Sequence, residues 1–206
     1  MSSRNDKKYR MSFSTGGLFV NESVEVARHF QTGEAWAVAR ERLLAESIAN
    51  LPKLASQTRS LREIYDRVSH LSDEERTYLL EDADRQQQQA VLWLAVCRTY
   101  RFIQEFAVEV VQDRYQSWRL DLGHETFDRF LAEKSEWNEH LAQLSPSTCA
   151  KLRQVLFRVM REAGVLNDDN KIQAMWLSPR LTALVRDADP SELRVFPGVT
   201  KDGSQE

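Results

Sequence analysis

The sequence predicts an all-α protein, a multi-helix bundle that ends in a winged-helix-like segment with a helix-turn-helix and a short β-hairpin. The bundle is predicted because Gly and Pro number only 7 and 5 among 206 residues, and because apolar residues recur at spacings of three and four. The winged-helix-like segment is predicted from residues 145–179. There a basic amphipathic helix, a glycine, a short apolar run, a polar turn and a second apolar run follow one another.

An N-terminal tail and extended arm are predicted over residues 1–20. Gly16 and Gly17 are adjacent, and successive glycines disfavour a helix because each loses much backbone freedom on folding. We expect the arm to pack Phe13, Leu18 and Phe19 onto the body of the protein.

A helical core domain is predicted over residues 21–134. Asn21 is expected to cap its first helix. Ser72 and Glu75 have the spacing of a capping box, in which each side chain accepts a hydrogen bond from the backbone N–H of the other residue. The run 90–97 is apolar on all sides, which predicts a helix buried at the centre. Helices are predicted at 21–30, 34–49, 58–68, 84–98, 100–115 and 126–134, with a short one after the capping box.

A helix-turn-helix is predicted at the start of the C-terminal segment. Residues 135–143 are expected to form the shorter supporting helix, and residues 144–146 the turn. Ser147 and Thr148 are expected to cap the second helix, and Gly164 to end it. One face of the second helix is apolar and must be buried; it carries Leu152, Val155, Leu156, Val159, Met160 and Ala163.

The opposite face of this helix is basic and polar. It carries Lys151, Gln154, Arg158 and Arg161, which are the kinds of side chain that neutralise phosphates and reach base edges in a major groove. Such a face is equally typical of a helix that is simply solvated. The helix alone therefore leaves both interpretations open.

The β-hairpin, or wing, is predicted from the residues that follow. The run 167–170 consists of Asn and Asp, which favour turns and tolerate positive φ. The short runs 165–166 and 171–174 flank it as the two strands. Together these elements define a winged-helix-like DNA-binding segment over residues 135–186, and residues 187–206 are predicted to be a C-terminal tail.

Charge is unevenly distributed along the chain. Residues 145–186 contain seven Lys and Arg against three Asp and Glu, a balance of +4, whereas the whole chain carries −3 and the remainder therefore −7. A basic block on an acidic body fits a single phosphate-binding patch. It argues against a protein that coats nucleic acid indiscriminately.

No catalytic, metal or cofactor motif is found. Residues 124–127 (HETF) begin like the helix of a zinc protease, but Asp128 stands where the second histidine is needed. His124 is therefore interpreted as a helix-start residue. Glycine-rich loops that cradle phosphates are missing as well. We predict that the protein is not an enzyme and that it uses no metal and no cofactor.

The chain is expected to be cytoplasmic and not bound to a membrane. Cys97 and Cys149 lie far apart in the sequence, which disfavours a disulfide framework. No signal peptide is evident at the N-terminus. The longest apolar run, 90–97, is far shorter than the ~20 residues that a membrane span needs.

Three blocks of the sequence resemble one known family. They are residues 9–19 (YRMSFSTGGLF), 93–111 (WLAVCRTYRFIQEFAVEVV) and 144–166 (LSPSTCAKLRQVLFRVMREAGVL). The resemblance is to BrxA, the small A component of BREX bacteriophage-exclusion systems. It implies an all-helical protein that acts with a methyltransferase, an ATPase and other BREX proteins in phage resistance, with DNA binding as its activity. The family has no catalytic motif to carry over.

Two functions of different class follow. The first is a non-enzymatic accessory protein that contacts double-stranded DNA through the basic helix-turn-helix. The second is a protein-protein adaptor that assembles other BREX components through the acidic body and the arm at 16–17, without touching nucleic acid. RNA binding ranks lower because few aromatic side chains are expected at the surface. The predicted DNA-binding residues are Ser147, Thr148, Lys151, Arg153, Gln154, Arg158, Arg161, Lys171 and Arg180.

Overall fold

Helices account for nearly all the regular structure of the described residues, which confirms the predicted helical class. The computed structural model describes residues 9–13, 16–45 and 54–200. In the last of these stretches the side chains are described from residue 58 onward. Parts of the predicted tail, arm, second helix and C-terminal tail lie outside the described residues. The helices are α1 (Val20–Arg28), α2 (Trp36–Ala45), α3 (Leu54–Val68), α4 (Asp73–Glu81), α5 (Arg85–Thr99), α6 (Arg101–Phe106), α7 (Asp113–Gln116), α8 (His124–Ser135), α9 (Glu139–Ala142), α10 (Pro146–Glu162) and α11 (Pro179–Ala188).

The predicted central helix is α5. Its residues 90–97 are all buried, as an all-apolar helix requires. Trp93 is fully buried, and its indole N–H donates a hydrogen bond of 2.8 Å to the carbonyl oxygen of Val195. This bond holds a short 3₁₀ helix, Pro190–Val195, against the centre of the fold.

The N-terminal arm is packed as predicted at Phe13 and Leu18, which are both buried. Phe19 is half-buried and adopts a left-handed conformation with φ of 56° directly before α1. The predicted cap was wrong, because α1 begins before Asn21. The Asn21 side-chain oxygen instead accepts a hydrogen bond of 2.7 Å from Arg85 at the start of α5.

The capping box at the start of α4 is confirmed. The Glu75 N–H donates to the Ser72 hydroxyl at 3.1 Å, and the Ser72 N–H donates to the Glu75 carboxylate at 2.8 Å. The same carboxylate is only 1% exposed and accepts two hydrogen bonds from Arg98, at 2.6 and 2.8 Å. Arg98 also donates to Glu192 at 2.7 Å. Burial alone would lower the pKa of Arg98, but the hydrogen bonds to Glu192 and Glu75 raise it above its usual value.

Residues 101–116 form one helical path, as predicted, with a π-helical segment, Ala107–Gln112, between α6 and α7. Two phenylalanines of α6 pack against two of α8. Ring centroids of Phe102 lie 5.7 Å from Phe127 and 5.2 Å from Phe130, and those of Phe106 lie 6.1 and 5.3 Å from the same rings. This aromatic cluster fixes α8, against which α10 packs.

The predicted supporting helix over 135–143 was wrong. The helix α8 ends at Ser135, and α9 is only four residues long, with the Asn138 side chain accepting a hydrogen bond of 3.2 Å from the Leu141 N–H. The physical reason is the lack of an apolar stripe, since Leu141 alone is buried in α9. A helix with so little apolar surface gains little from packing.

The predicted pair of strands at 165–166 and 171–174 was also wrong. Leu166 and Ile172 form an isolated antiparallel bridge, and Lys171 forms a second one with Asp121. These are single bridges, and no longer strand occurs in the part of the chain that the structure describes. The reason is the end of α10, because the N–H groups of Val165 and Leu166 donate back to the Met160 carbonyl at 2.9 and 3.2 Å and cannot extend a ladder. On its other side the second run also pairs, since the Ile172 N–H donates to the Leu120 carbonyl at 2.8 Å. Residues 170–172 are thus shared between two neighbours, each paired only briefly.

Much of the segment predicted as a C-terminal tail is packed into the core. The helix α11 extends to Ala188, and the 3₁₀ helix that follows contacts α5 and the π-helical segment. The physical reason is the apolar content of this segment, since its large apolar side chains gain free energy by leaving water. The buried residues are Leu193, Val195, Phe196 and Val199.

Trp118 ends α7 in an unusual way. Its N–H donates to Tyr115 at 3.0 Å, and the Arg119 N–H donates to Arg114 at 2.9 Å, which closes the helix end. Trp118 itself has φ of 57° and is 86% exposed. Glycine usually fills this left-handed position, because a Cβ atom there clashes with the backbone.

Replacing Trp118 with Gly is expected to leave the free energy of unfolding unchanged or to raise it by up to about 1 kcal/mol, because it relieves the left-handed conformation and removes little packing. Trp137 is the matched control, since it is 82% exposed but its φ is not positive. Trp137→Gly should lower the free energy of unfolding by about 0.5–1 kcal/mol, because glycine increases the conformational entropy of the unfolded chain. Thermal and urea unfolding measure both variants, and equal losses would contradict the prediction.

Candidate nucleic-acid interface

The helix α10 carries most of the predicted nucleic-acid contacts, and Ser145 caps it. The Ser145 hydroxyl accepts a hydrogen bond of 3.2 Å from the Thr148 N–H, and Pro146 occupies the first turn. The cap predicted at Ser147 and Thr148 was thus placed two to three residues too late. Both hydroxyls lie in the first turn, 3.0 and 2.8 Å from the Ser145 hydroxyl.

The apolar face of α10 is buried as predicted. Every residue of the predicted stripe from Leu152 to Ala163 is buried, and Phe157 is buried beside it. The Phe157 ring meets His124 edge-on with centroids 4.6 Å apart. His124 is the first residue of α8, which confirms its interpretation as a helix-start residue and gives it a packing role.

Three predicted residues form one exposed row on the other side of α10, which we call the basic row: Lys151, Gln154 and Arg158. They are spaced three and four apart and therefore lie above one another on the helix. The Lys151 ammonium lies 3.4 Å from the Gln154 side-chain oxygen. The Arg158 side chain is 60% exposed and its Nε donates to Glu162 at 2.7 Å. A row that presents two cations and an amide to solvent can bind a polyanion.

Two other predicted residues of α10 are engaged by partners elsewhere in the fold. Arg153 is engaged by the carboxylate of Asp128 on α8. Arg161 is half-buried, and its Nη1 donates to the Asn170 side-chain oxygen at 2.7 Å. Arg161 therefore anchors the turn at 167–170 and does not extend the basic row.

The predicted turn at 167–170 is present. The Asn167 side-chain oxygen accepts hydrogen bonds from the N–H groups of Asp169 at 3.1 Å and Lys171 at 2.8 Å. Asn170 adopts φ of 58°, a conformation that asparagine tolerates. The turn places Lys171 at the surface, opposite Asp121.

Arg180 lies apart from the basic row. Arg180 lies in the first turn of α11, before the buried residues of that helix. It forms an ion pair with Asp82 at the end of α4, and its guanidinium carbon lies 5.8 Å from the centre of the Tyr78 ring. The structure thus brings Lys151, Gln154 and Arg158 together and leaves Arg180 in a separate cluster.

Sequence reasoning missed Glu162, the last residue of α10. Its carboxylate accepts hydrogen bonds from Arg158 and from the Leu18 N–H of the arm. The spacing of four between Arg158 and Glu162 is visible in the sequence and predicts the ion pair. The contact with Leu18 spans 144 residues and leaves no local signal.

Neither a membrane span nor a metal centre is found in the described ranges 9–13, 16–45 and 54–200. No helix there is long and apolar enough to cross a bilayer. Nor does any group of three or more His, Cys, Asp and Glu side chains lie close enough together to hold a metal ion.

Comparison with known proteins gives one family. The family model described as BrxA matches residues 7–189. Two relatives share the description "BREX protein BrxA". One, from Escherichia coli O9:H4 (strain HS), is 24% identical over 185 residues, covering 89% of this chain and 86% of the relative. The other, from Bacillus cereus (strain H3081.97), is 22% identical over 166 residues, covering 79% and 81%.

A solved structure has a similar fold. It is the crystal structure of an uncharacterized protein from Magnetospirillum magneticum, with a TM-score of 0.79 and 18% sequence identity. The similarity covers 92% of this chain and 99% of that protein. At this identity the likeness concerns the fold alone.

Proposed function

The chain belongs to the BrxA family, and from this premise we propose that it is a non-enzymatic accessory protein of a BREX phage-defence system that binds double-stranded DNA in the cytoplasm. The observation that carries the proposal is the exposed basic row of Lys151, Gln154 and Arg158 on a helix whose opposite face is buried. The methyltransferase and the ATPase of the same system are its proposed protein partners.

The chemistry of α10 suits a duplex. Lysine binds phosphate as a point charge, whereas arginine and glutamine can each make paired hydrogen bonds to a base edge. The first turn adds backbone N–H groups and the hydroxyls of Ser147 and Thr148, and a helix N-terminus favours a phosphate. The Arg158–Glu162 pair is exposed. Such pairs contribute only about 0.2–1 kcal/mol, so a phosphate can replace the carboxylate.

The proposal retains only the chain order of a winged helix, because its paired strands and its supporting helix at 135–143 are not present in the described residues. Residues 170–172 pair with 120–122 on one side and with 165–167 on the other. In chain order residues 120–122 come first, the helices α8 and α10 follow, and residues 165–167 come after them. The supporting and recognition helices of a winged helix have the same position in the chain. In this proposal each strand is reduced to a single bridge, α8 replaces residues 135–143 as the supporting helix, and the turn at 167–170 is the wing.

A mobility-shift series tests the proposal. The full-length chain is titrated into a duplex, a single-stranded DNA and an RNA of equal length at about 50 and 200 mM salt. Duplex binding should be the tightest, and its affinity should fall by about tenfold or more over this range, because a few phosphates release their counterions. Absence of salt-sensitive duplex binding, or equal affinity for RNA, would contradict the proposal.

One observation favours the adaptor function as a second candidate. Three tryptophans are exposed, Trp118 at 86%, Trp137 at 82% and Trp176 at 59%, although the sequence predicts few exposed aromatic residues. Tryptophan is enriched among the residues that carry most binding energy in protein interfaces. The arm is less suited to this role, since Phe13 and Leu18 are buried in the chain's own core.

Co-purification with the methyltransferase and the ATPase separates the two candidates. If the chain is mainly an adaptor, a complex should survive charge reversal of Lys151 and Arg158 and be lost in Trp118→Gly, with negligible duplex affinity throughout. A DNA-binding protein should instead lose duplex affinity on charge reversal of Lys151 and Arg158 and keep it in Trp118→Gly.

A further inference from the structure

Glu162 connects the N-terminal arm with the basic row. One carboxylate oxygen accepts a hydrogen bond of 2.5 Å from the Leu18 N–H, and the other accepts one of 2.7 Å from Arg158 Nε. The carboxylate also lies over Gly17, where a Cβ atom would stand 2.1 Å from an oxygen of Glu162. A residue without a side chain at position 17 therefore lets the carboxylate reach the arm.

The stability of α10 does not explain this glutamate. Glu162 is the last residue of the helix, where the helix dipole disfavours a negative charge. An acid that follows a base by four residues is also the weaker of the two possible orders of a helix ion pair. What holds the carboxylate is its contact with the arm and with Arg158.

The arm itself is fixed from the other side. The Gly17 carbonyl oxygen accepts a hydrogen bond of 2.8 Å from Arg67, which is 2% exposed, and Leu18 is buried. The Glu162 side chain is 35% exposed. Its charge thus stands at the surface beside Arg158 and is kept there by a rigidly packed segment.

We propose that Glu162 is a positioning residue that restrains Arg158 and lowers the affinity of the basic row for duplex DNA. This inference rests on the proposed DNA binding. A phosphate must draw the Arg158 guanidinium away from the carboxylate. The carboxylate cannot follow, because it is tethered to Leu18, so the free energy of the ion pair with Arg158 is lost on binding.

The test is Glu162→Gln in the full chain. The glutamine carbonyl oxygen still accepts the Leu18 N–H, so the arm stays docked while the charge is removed. Duplex affinity is expected to rise about twofold to fivefold, the range of an exposed ion pair, and the salt dependence to steepen by up to about one phosphate. Glu74→Gln, on the exposed side of α4, changes net charge equally and should leave affinity unchanged.

A double-mutant cycle assigns the effect to Arg158. In an Arg158→Gln background, Glu162→Gln should no longer raise duplex affinity. If the gain persists there, or if Glu162→Gln lowers the melting temperature without changing affinity, the proposal is overturned. If Lys151→Glu weakens binding but Glu162→Gln does nothing, only this inference fails. If neither variant changes binding, the proposed function fails as well.

Discussion

Reversing both cations of the basic row, Lys151→Glu with Arg158→Glu, is expected to weaken duplex binding by at least about tenfold at low salt. Two phosphate contacts are lost and two repulsive charges are introduced on the same helix face. The slope of log affinity against log salt should become shallower by about two, one for each lost phosphate. A mobility-shift or anisotropy titration at four or more salt concentrations measures both quantities.

The control carries the same change of net charge elsewhere. Arg28 and Arg40 are exposed on α1 and α2, which pack mainly against α3, α4 and α5. Reversing both to Glu should change duplex affinity by less than about threefold, since only weak long-range repulsion is added. Equal losses in the two double variants would show that net charge alone governs binding, and the assignment to α10 would be wrong.

Replacing Arg98 with Met is expected to lower the free energy of unfolding by about 3–5 kcal/mol. Methionine keeps the apolar stem but leaves Glu75, which is 1% exposed, beside Glu192 with no cation between them. A buried carboxylate that loses its partner must either remain desolvated or take up a proton, and both cost free energy. Urea unfolding followed by circular dichroism gives the difference.

Two further variants identify the cause. Arg28→Met removes an exposed ion pair with Glu25, whose side chains are 56% and 41% exposed, and should cost less than about 1 kcal/mol. The triple variant Glu75→Gln, Arg98→Met and Glu192→Gln removes all three charges and keeps the capping box, because glutamine also serves at that position. It should recover most of the lost stability. A triple variant as unstable as Arg98→Met would point to lost packing instead.

The sequence predicted those parts of the fold that depend on neighbours within a few residues. The buried stripe of α10, the capping box at Ser72 and the turn at 167–170 all follow from local spacing or residue type. Each is decided by hydrogen bonds or burial within one or two helical turns, where the pattern of apolar and polar residues is sufficient.

The parts that could not be predicted depend on residues far apart in the chain. Lys171 pairs with the distant Asp121, and the Met175 N–H donates to the carbonyl of the distant Pro197 and does not continue a hairpin. Glu192 and Arg98 are 94 positions apart in the sequence, and no alternation or spacing of residue types predicts such a pair. At the candidate interface the same limit applied to Arg153, whose partner Asp128 lies on another helix.

The Val195 carbonyl accepts a hydrogen bond from the Trp93 indole N–H. This bond connects the C-terminal 3₁₀ helix to the innermost helix of the fold. Arm, central helix, α10 and C-terminal segment contribute to one shared apolar interior. A boundary at residue 135 would therefore cut through that interior, and a fragment beginning there would expose the apolar side of α10 to water. The surface proposed to bind DNA is consequently not expected to fold as a separate fragment. Its affinity for duplex DNA is better changed by substituting individual surface residues within the intact chain.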